Sequence, residues 1–261
     1  MSGRDIGVDR DTEGVVTVRL DSPSGNVLDT ALCRRLRTVL AEAADDGSAK
    51  LLVLSSTGKH FSFGASVEEH LPEGAAPMLA EMSAVVSALY AHPYPTLAAV
   101  RGQCLGGGLE IALACDMIFV EESSVLAAPE IRLGVFAPAA TVLLQSSVPR
   151  CVAAEVLLTG GDIRPEEALS WGLVNRVVAD GELDMAVAEL AATCFAPRSA
   201  ASLRVATAAY RSACRTRDPE RLAEELARVE RRYLDELLPT HDGVEGIRAF
   251  LEKREPVWEE G

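Results

Sequence analysis

The stretch Arg101-Gly-Gln-Cys-Leu-Gly-Gly-Gly-Leu-Glu110 decides the fold, together with the segments on either side of it. Before it, Thr96-Leu-Ala-Ala-Val-Arg101 is short, apolar and bounded by Pro95 and Gly102, which predicts a buried strand. After the glycines, Leu109-Glu-Ile-Ala-Leu-Ala-Cys115 has the Ala-rich composition of a buried helix. Glycine permits positive φ and leaves no Cβ in the way of a ligand. We therefore expect a strand, a glycine turn and a helix whose first amides are free.

Two glutamates accompany this turn. Glu110 lies one turn into the predicted helix, and Glu130 follows Pro129 between apolar residues. Ionised carboxylates are rarely buried without a partner or a task. A helix start also offers amides at the positive end of the dipole, where developing negative charge is stabilised. The pair indicates proton transfer beside an oxyanion, although the glycines alone are also compatible with a simple packing turn.

Nucleotide binding is the other function that a glycine-rich turn suggests. The glycines are consecutive rather than spaced as Gly-x-Gly-x-x-Gly, and no Gly-Lys-Ser/Thr follows them. The spacing therefore argues against a dinucleotide or phosphate-loop site.

A series of short motifs runs in a fixed order along nearly the whole chain. These segments are Ser24–Leu28, Gly58–Ser66, Tyr94–Gly102, Leu105–Glu110, Cys115-Asp116, Ala128–Glu130, Leu133-Gly134, Leu158–Gly160, Ala168–Val178 and Glu245–Arg254. Together they resemble the crotonase superfamily, the enoyl-CoA hydratase and isomerase group. So many ordered matches are specific, whereas three glycines alone would not be.

The resemblance implies roles for four residues. The amides of Ala65 and Gly107 would hold the thioester carbonyl oxygen, and Glu110 and Glu130 would be the paired hydratase glutamates. Glu110 would activate water, and Glu130 would exchange a proton with the α-carbon. In relatives that isomerise, cleave or dehalogenate, one or both glutamate positions commonly differ. Possession of both therefore favours addition or removal of water, which needs one proton acceptor and one proton donor.

Two departures from the family pattern concern the acyl pocket. Gly64-Ala65-Ser66 stands where Gly-Ala-Asp is usual, and Val135–Thr141 replaces a glycine-rich stretch. These segments resemble the cyclic dienoyl-CoA hydratases of anaerobic aromatic degradation, in the benzoyl-CoA pathway, which hydrate cyclohexa-1,5-diene-1-carboxyl-CoA. We expect Phe63, Phe136 and Pro138 to form a flat apolar slot. The substrate-binding residues that the resemblance implies are Leu28, Lys59, Phe61, Phe63, Ser66, His70, Phe136, Phe250 and Lys253.

Some alternatives stay open at this point. His70 fits a pocket residue or a residue of the pocket rim or surface. The activity fits a linear enoyl-CoA hydratase, or an enoyl-CoA isomerase or C–C bond lyase with the same oxyanion hole. A protein of another class, a non-catalytic acyl-CoA-binding subunit, would bind the thioester without turnover.

The resemblance implies an α/β fold, a crotonase-like spiral of strand-strand-helix turns. We expect this spiral core in residues 1–182 and a C-terminal helical trimerisation region in residues 183–261. The assembly would be a homotrimer or a dimer of trimers. In such an assembly the tail residues Phe250 and Lys253 reach a coenzyme A site, although Lys253 also fits a solvated helix face.

Composition limits the partners. The 261 residues carry a formal net charge of −14, which argues against general nucleic-acid binding. An anionic CoA ester would then depend on local basic groups such as Lys59, Arg101 or Lys253. The N-terminus is too polar for a secretory signal, and no apolar run approaches the ~20 residues that span a bilayer. We therefore expect a cytoplasmic protein without membrane contact.

The cysteines give no sign of a metal site. They lie at positions 33, 104, 115, 151, 194 and 214, without a Cys-x-x-Cys pair or a zinc-ligand spacing. We expect them to be small buried residues of a reducing cytoplasm. The sequence predicts no metal and no cofactor, since coenzyme A is part of the substrate.

Overall fold

The computed structural model describes residues 6–213 and 218–259. Within these residues, the larger sheet has six strands, of which β1 and β2 pair antiparallel and all the others pair in parallel. Their order in the sheet is β1 (Ile6–Arg10), β2 (Val15–Leu20), β3 (Leu51–Ser56), β4 (Thr96–Val100), β6 (Met117–Glu121) and β9 (Arg176–Val178).

A second, smaller sheet consists of β5 (Gln103–Leu105), β7 (Val125–Ala127) and β8 (Asp162–Ile163). The expectation that the strand from Thr96 runs directly into the glycine turn was wrong, because β5 lies between them. Gly102 allows this: its φ is +57°, and a Cβ there would meet the carbonyl oxygen of Lys59 at 2.2 Å. The chain therefore turns from one sheet into the other, and β4, β5 and the helix after them form a strand-strand-helix unit.

Helices complete each unit and follow the last strand. The first six are α1 (Thr30–Ala44), α2 (Pro72–Tyr90), α3 (Gly107–Leu113), α4 (Pro138–Ser147), α5 (Arg150–Thr159) and α6 (Pro165–Ser170). From Leu183 onward the described elements are all helical, as expected: α7 (Leu183–Leu190), α8 (Ala200–Ala213), α9 (Pro219–Arg231) and α10 (Asp242–Glu252). Two π-helical turns, Ala191–Phe195 and Arg232–Leu237, extend α7 and α9. A domain boundary at 182/183 stays a prediction.

The six-stranded sheet is covered on both faces. All five residues of β4 are buried, which fits a parallel strand with packed layers on either side. Leu97 and Ala99 face a cluster with Leu183 and Val187 of α7, whereas Ala98 and Val100 belong to the larger core. This alternation follows from the two-residue period of a strand.

The predicted burial of the cysteines is confirmed only in part. Cys33, Cys104 and Cys115 are buried, but Cys151 and Cys194 are exposed on helices. Cys214 lies outside the described residues. None of the described helices is both long and apolar enough to cross a lipid bilayer.

Candidate active site

The glycine turn places the first helical amides and one carboxylate side by side. Gly106 precedes α3 with φ +48° and ψ −118°, a conformation that side chains rarely adopt. A Cβ on Gly106 would meet Oε1 of Glu130 at 2.1 Å. The first hydrogen bond of α3 runs from the Glu110 amide to the Gly106 carbonyl at 2.9 Å. The Gly107 amide precedes it and therefore has no acceptor within the helix.

Ala65 contributes a second free amide. The Leu28 amide donates to the Gly64 carbonyl at 2.8 Å, and the Ser66 amide donates to Leu28 at 3.2 Å. In this parallel bridge the N–H of Ala65 points away from Leu28 and toward Gly107. A Cβ placed on Gly107 would lie 3.1 Å from the Ala65 nitrogen. Within residues 6–213 and 218–259 neither amide, of Ala65 or of Gly107, has an acceptor. The two N–H groups form a pair suited to one oxygen atom.

Glu110 is buried on α3 and is held by the start of another helix. Its Oε1 accepts hydrogen bonds from the amides of Ala139 at 2.8 Å and Ala140 at 3.0 Å. Pro138 is the first residue of α4, so these amides have no partner within that helix. Burial raises the pKa of Glu110 to about 6, while the two amides act in the opposite direction. The carboxylate is therefore fixed in place and mostly ionised at neutral pH.

Glu130 lies in a less polar environment. It belongs to the 3-10 helical turn Pro129–Leu133, and its Oε2 is out of reach of solvent with no hydrogen-bond partner among the described residues. Burial first, and the charge of Glu110 second, raise the pKa of Glu130 to about 8. The two carboxyl groups thus differ in proton affinity, as expected of an acid and a base in one site.

A small cavity joins these groups. The space left between its side chains, about 20 Å³, accommodates about one water molecule. Its lining residues are Ala65, His70, Met78, Leu79, Met82, Ser83, Gly107, Glu110, Glu130, Phe136, Ala137, Pro138 and Ala139. His70 belongs to this wall rather than to the surface: it is buried, and its Nδ1 lies 2.7 Å from the Ser66 carbonyl oxygen. Burial lowers the pKa of His70, which favours the neutral ring.

Helix α9 and its π-helical extension pack behind the cavity wall, which the sequence did not indicate. Ser83 donates a hydrogen bond to Glu230 on α9, and the ring of Tyr233 packs 5.4 Å from the ring of Phe136. Glu230 and Tyr233 stand in a charged amphipathic stretch, where the pattern predicts one packed face but not what that face meets. The amides of Ala139 and Ala140 were also missed, although Pro138 is a typical first residue of a helix.

The structure brings together only part of the predicted site. Ala65, His70, Gly107, Glu110, Glu130, Phe136 and Pro138 all line the cavity. Leu28 and Phe61 are completely buried in the core behind the Ala65 segment, and Ser66 is half-buried beside His70. These positions follow from the fold, whereas the proposed roles of the residues stay predictions.

Phe63 does not line the cavity with Phe136 and Pro138. The prediction that these three residues form one apolar slot was therefore wrong for Phe63. Its ring is 44% exposed, packs 4.8 Å from the ring of His60 and lies against Gly25. The reason is local: side chains alternate along an extended segment, and the neighbouring Ser62 and Gly64 are the buried residues.

The remaining predicted contacts lie at the surface. Lys59 lines an open cleft with Asp21, Asn26 and His60. Phe250 is 56% exposed, and Lys253 is exposed as the left-handed cap of α10. Their contact with coenzyme A stays a prediction. Among the described residues, no three His, Cys, Asp or Glu side chains form a group that could hold a metal ion.

Comparison with known proteins identifies the family. The family model described as enoyl-CoA hydratase/isomerase matches residues 10–261. The chain is 39% identical over 251 residues to cyclohexa-1,5-dienecarbonyl-CoA hydratase of Thauera aromatica, covering 94% of this chain and 93% of the relative. It is 33% identical over 254 residues to carnitinyl-CoA dehydratase of Escherichia coli K12, covering 94% of each. A crystal structure of carnitinyl-CoA hydratase from Mycobacterium avium superposes with a TM-score of 0.86 at 32% identity, over 100% of both chains. The protein therefore has the crotonase fold and belongs to the enoyl-CoA hydratase/isomerase family.

Proposed function

We propose that the protein is an acyl-CoA hydro-lyase that adds water to a conjugated enoyl- or dienoyl-CoA thioester, with cyclohexa-1,5-diene-1-carboxyl-CoA as its substrate. One observation carries the proposal: two buried carboxyl groups of different proton affinity share a cavity with two free amides. Each hydration needs a proton acceptor, a proton donor and a site for negative charge on oxygen. Glu110, Glu130 and the two amides are groups suited to these three tasks.

The amides of Ala65 and Gly107 would receive the thioester carbonyl oxygen. Two N–H donors polarise the carbonyl, make the conjugated double bond electrophilic and stabilise the enolate oxygen that forms after attack. Because both donors are backbone groups of a packed turn, they need no rearrangement when charge develops. A CoA ester is therefore the substrate class that this donor pair suits.

Glu110 and Glu130 would divide the proton transfers. Glu110, ionised at neutral pH, accepts a proton from water as the hydroxyl oxygen bonds to the β-carbon of an enoyl group. Glu130, mostly protonated below its pKa of about 8, delivers a proton to the α-carbon of the enolate. One proton is taken up and one is released, so the product has gained one water. Exchange with solvent then returns both carboxyl groups to their starting states.

The apolar wall of the cavity supports a bulky acyl group. Met78, Leu79 and Met82 of α2 line it together with Phe136 and Pro138. A cyclic acyl group needs more room than one water molecule, and methionine side chains rearrange easily because they are unbranched and flexible. The similarity to a hydratase named for a cyclic dienoyl-CoA adds independent support.

A linear acyl group is the second candidate. Relatives named as carnitinyl-CoA dehydratases are 32% to 33% identical to the chain, which is not far below the 39% of the cyclic dienoyl-CoA hydratase. The fold and the two glutamates would serve either substrate. The preference must therefore come from the apolar wall.

The test compares two substrates in water enriched in heavy oxygen. We expect cyclohexa-1,5-diene-1-carboxyl-CoA to be hydrated with a much higher kcat/KM than crotonyl-CoA, and the heavy oxygen to appear in the product. Faster turnover of crotonyl-CoA would make the protein a linear enoyl-CoA hydratase. An isomerised product without label would indicate an isomerase, and saturable binding without turnover would indicate a binding subunit.

Assembly as a homotrimer or a dimer of trimers is also part of the proposal. In that arrangement Phe250 and Lys253 would contact the coenzyme A moiety. Mass measurement of the intact protein in solution would decide between one, three and six chains.

A further inference from the structure

Tyr233 is a completely buried tyrosine whose hydroxyl group has no hydrogen-bond partner among the residues that the structure describes. It lies in the π-helical turn Arg232–Leu237, which continues α9. In the part of the chain that the structure describes, its Oη neither contacts solvent nor forms a hydrogen bond. An unpaired buried hydroxyl is unfavourable, and such groups are rare in native structures. Phenylalanine would fill the same space without this cost.

The ring of Tyr233 lies directly behind the cavity wall. Its centroid is 5.4 Å from that of Phe136 and 6.3 Å from that of His70, and both of these rings line the cavity. Oε2 of Glu130, which lines the cavity, is a second buried oxygen without a hydrogen-bond partner among residues 6–213 and 218–259. Burial first, and the charge of Glu130 second, raise the pKa of Tyr233. The hydroxyl group therefore stays protonated and can donate a hydrogen bond.

We infer that the Tyr233 hydroxyl donates a hydrogen bond to an oxygen atom that binds between it and Oε2 of Glu130. The inference rests on the proposed function for the identity of this oxygen, which is the attacking water or the hydroxyl group of the hydrated product. One bound oxygen would satisfy both unpaired groups. Tyr233 would then be a catalytic residue that orients this oxygen relative to Glu130.

A purely structural role would have different consequences. If Tyr233 were only a packing residue, the ring would matter and the hydroxyl would not. Tyr94 provides a matched control, because it is also completely buried but its hydroxyl donates a 2.8 Å hydrogen bond to the Ala43 carbonyl, outside the cavity. Replacing each tyrosine by phenylalanine removes one buried oxygen atom in each case.

The experiment compares Tyr233→Phe and Tyr94→Phe with the wild-type protein. We expect Tyr233→Phe to keep or raise Tm and to lower kcat about tenfold or more, as for a lost hydrogen bond in the reacting complex, with KM within about twofold. Tyr94→Phe should lower Tm and leave kcat unchanged. Unchanged kcat in Tyr233→Phe would overturn the inference while the proposed hydratase function stands.

A second measurement does not depend on turnover. Infrared titration of the Glu130 carboxyl group, assigned by its absence in Glu130→Gln, reports its pKa directly. A shared hydrogen-bonded oxygen stabilises the ionised carboxylate, so Tyr233→Phe should raise the Glu130 pKa, and an unchanged titration would contradict the inference. Of the other groups around Glu130, Glu110 and His70 stay in place, and Glu245 of the adjacent α10 is paired with Arg254. If the wild type hydrates none of the CoA esters, the proposed function fails, and the titration alone decides the role of Tyr233.

Discussion

Oε1 of Glu130 lies so close to the α-carbon of Gly106 that a methyl group on that carbon would meet it at 2.1 Å. The same glycine has φ +48°, so a side chain would also strain the backbone. The position of the Glu130 carboxyl group and the backbone geometry at the start of α3 therefore both require glycine at position 106.

Gly106→Ala should displace Glu130 and lower hydratase turnover by roughly a hundredfold, the contribution expected of a general acid. Gly47→Ala is the control, because a Cβ there meets no atom within 4 Å. Kinetic assays with circular dichroism would check this. If Gly106→Ala folds normally and keeps full activity, Glu130 does not need its observed position.

Glu110→Gln and Glu130→Gln should each lower turnover by roughly a hundredfold or more, because each removes one proton transfer. The double variant should lose far less than the product of the two single losses, because the groups act as a unit. Steady-state kinetics of all four proteins forms the test. Strictly multiplicative losses in folded variants would mean that the two residues act independently.

The pH dependence of kcat/KM should be bell-shaped. Activity rises as Glu110 loses its proton, through a pKa of about 6, and falls as Glu130 loses its proton, through a pKa of about 8. The two groups influence each other, so the observed limbs belong to the pair. Replacing Glu130 by Gln should remove the alkaline limb from the residual activity. A profile that stays flat from pH 5 to pH 9 would exclude this assignment of acid and base.

The free energy of unfolding should also depend on pH through Glu110 and Glu130. Both folded-state pKa values lie above 4.5, the ordinary value of a glutamate, so the folded protein binds more protons than the unfolded chain between pH 4.5 and pH 8. Their contribution to the free energy of unfolding therefore falls as pH rises through this window. Glu130→Gln cannot ionise, so it should gain stability relative to the wild type between pH 5 and pH 9. Denaturant titrations at several pH values would reveal this difference, and a constant difference would count against burial of an ionisable Glu130.

Phe136→Ala should reduce the preference for the cyclic dienoyl-CoA over crotonyl-CoA. Apolar walls discriminate by packing, worth about 1 to 3 kcal/mol per misplaced methylene-sized group, or about 10- to 200-fold in kcat/KM. Phe63→Ala is a matched control, because Phe63 lies outside the cavity. The ratio of kcat/KM for the two substrates is the measurement. Equal effects of both substitutions would show that Phe136 does not shape the acyl site.

The parts that could be predicted from the sequence are those with a long or bounded pattern. The apolar run before Arg101 and the Ala-rich segment after the glycines correctly predicted β4 and α3. Strand β5 was missed because three residues, Gln103–Leu105, are too short to show a period. Phe63 was misplaced because the sequence does not show which way an extended segment faces. Tyr233 was missed because its position behind Phe136 and His70 depends on the packing of α9 and its extension against α2 and α4, which is long-range structure.

The proton-transfer groups and the apolar wall come from different elements. Glu110 and Glu130 are supplied by α3 and the turn Pro129–Leu133, whereas Met78, Leu79 and Met82 are supplied by α2. Met78 and Leu79 can therefore be substituted without replacing either glutamate or the two residues that supply the amides, whereas Met82 packs next to Gly107. In protein engineering, α2 is therefore the element to vary in order to change the acyl specificity while keeping the reaction. The same separation would let duplicated copies of such a gene diverge in substrate while they keep one reaction.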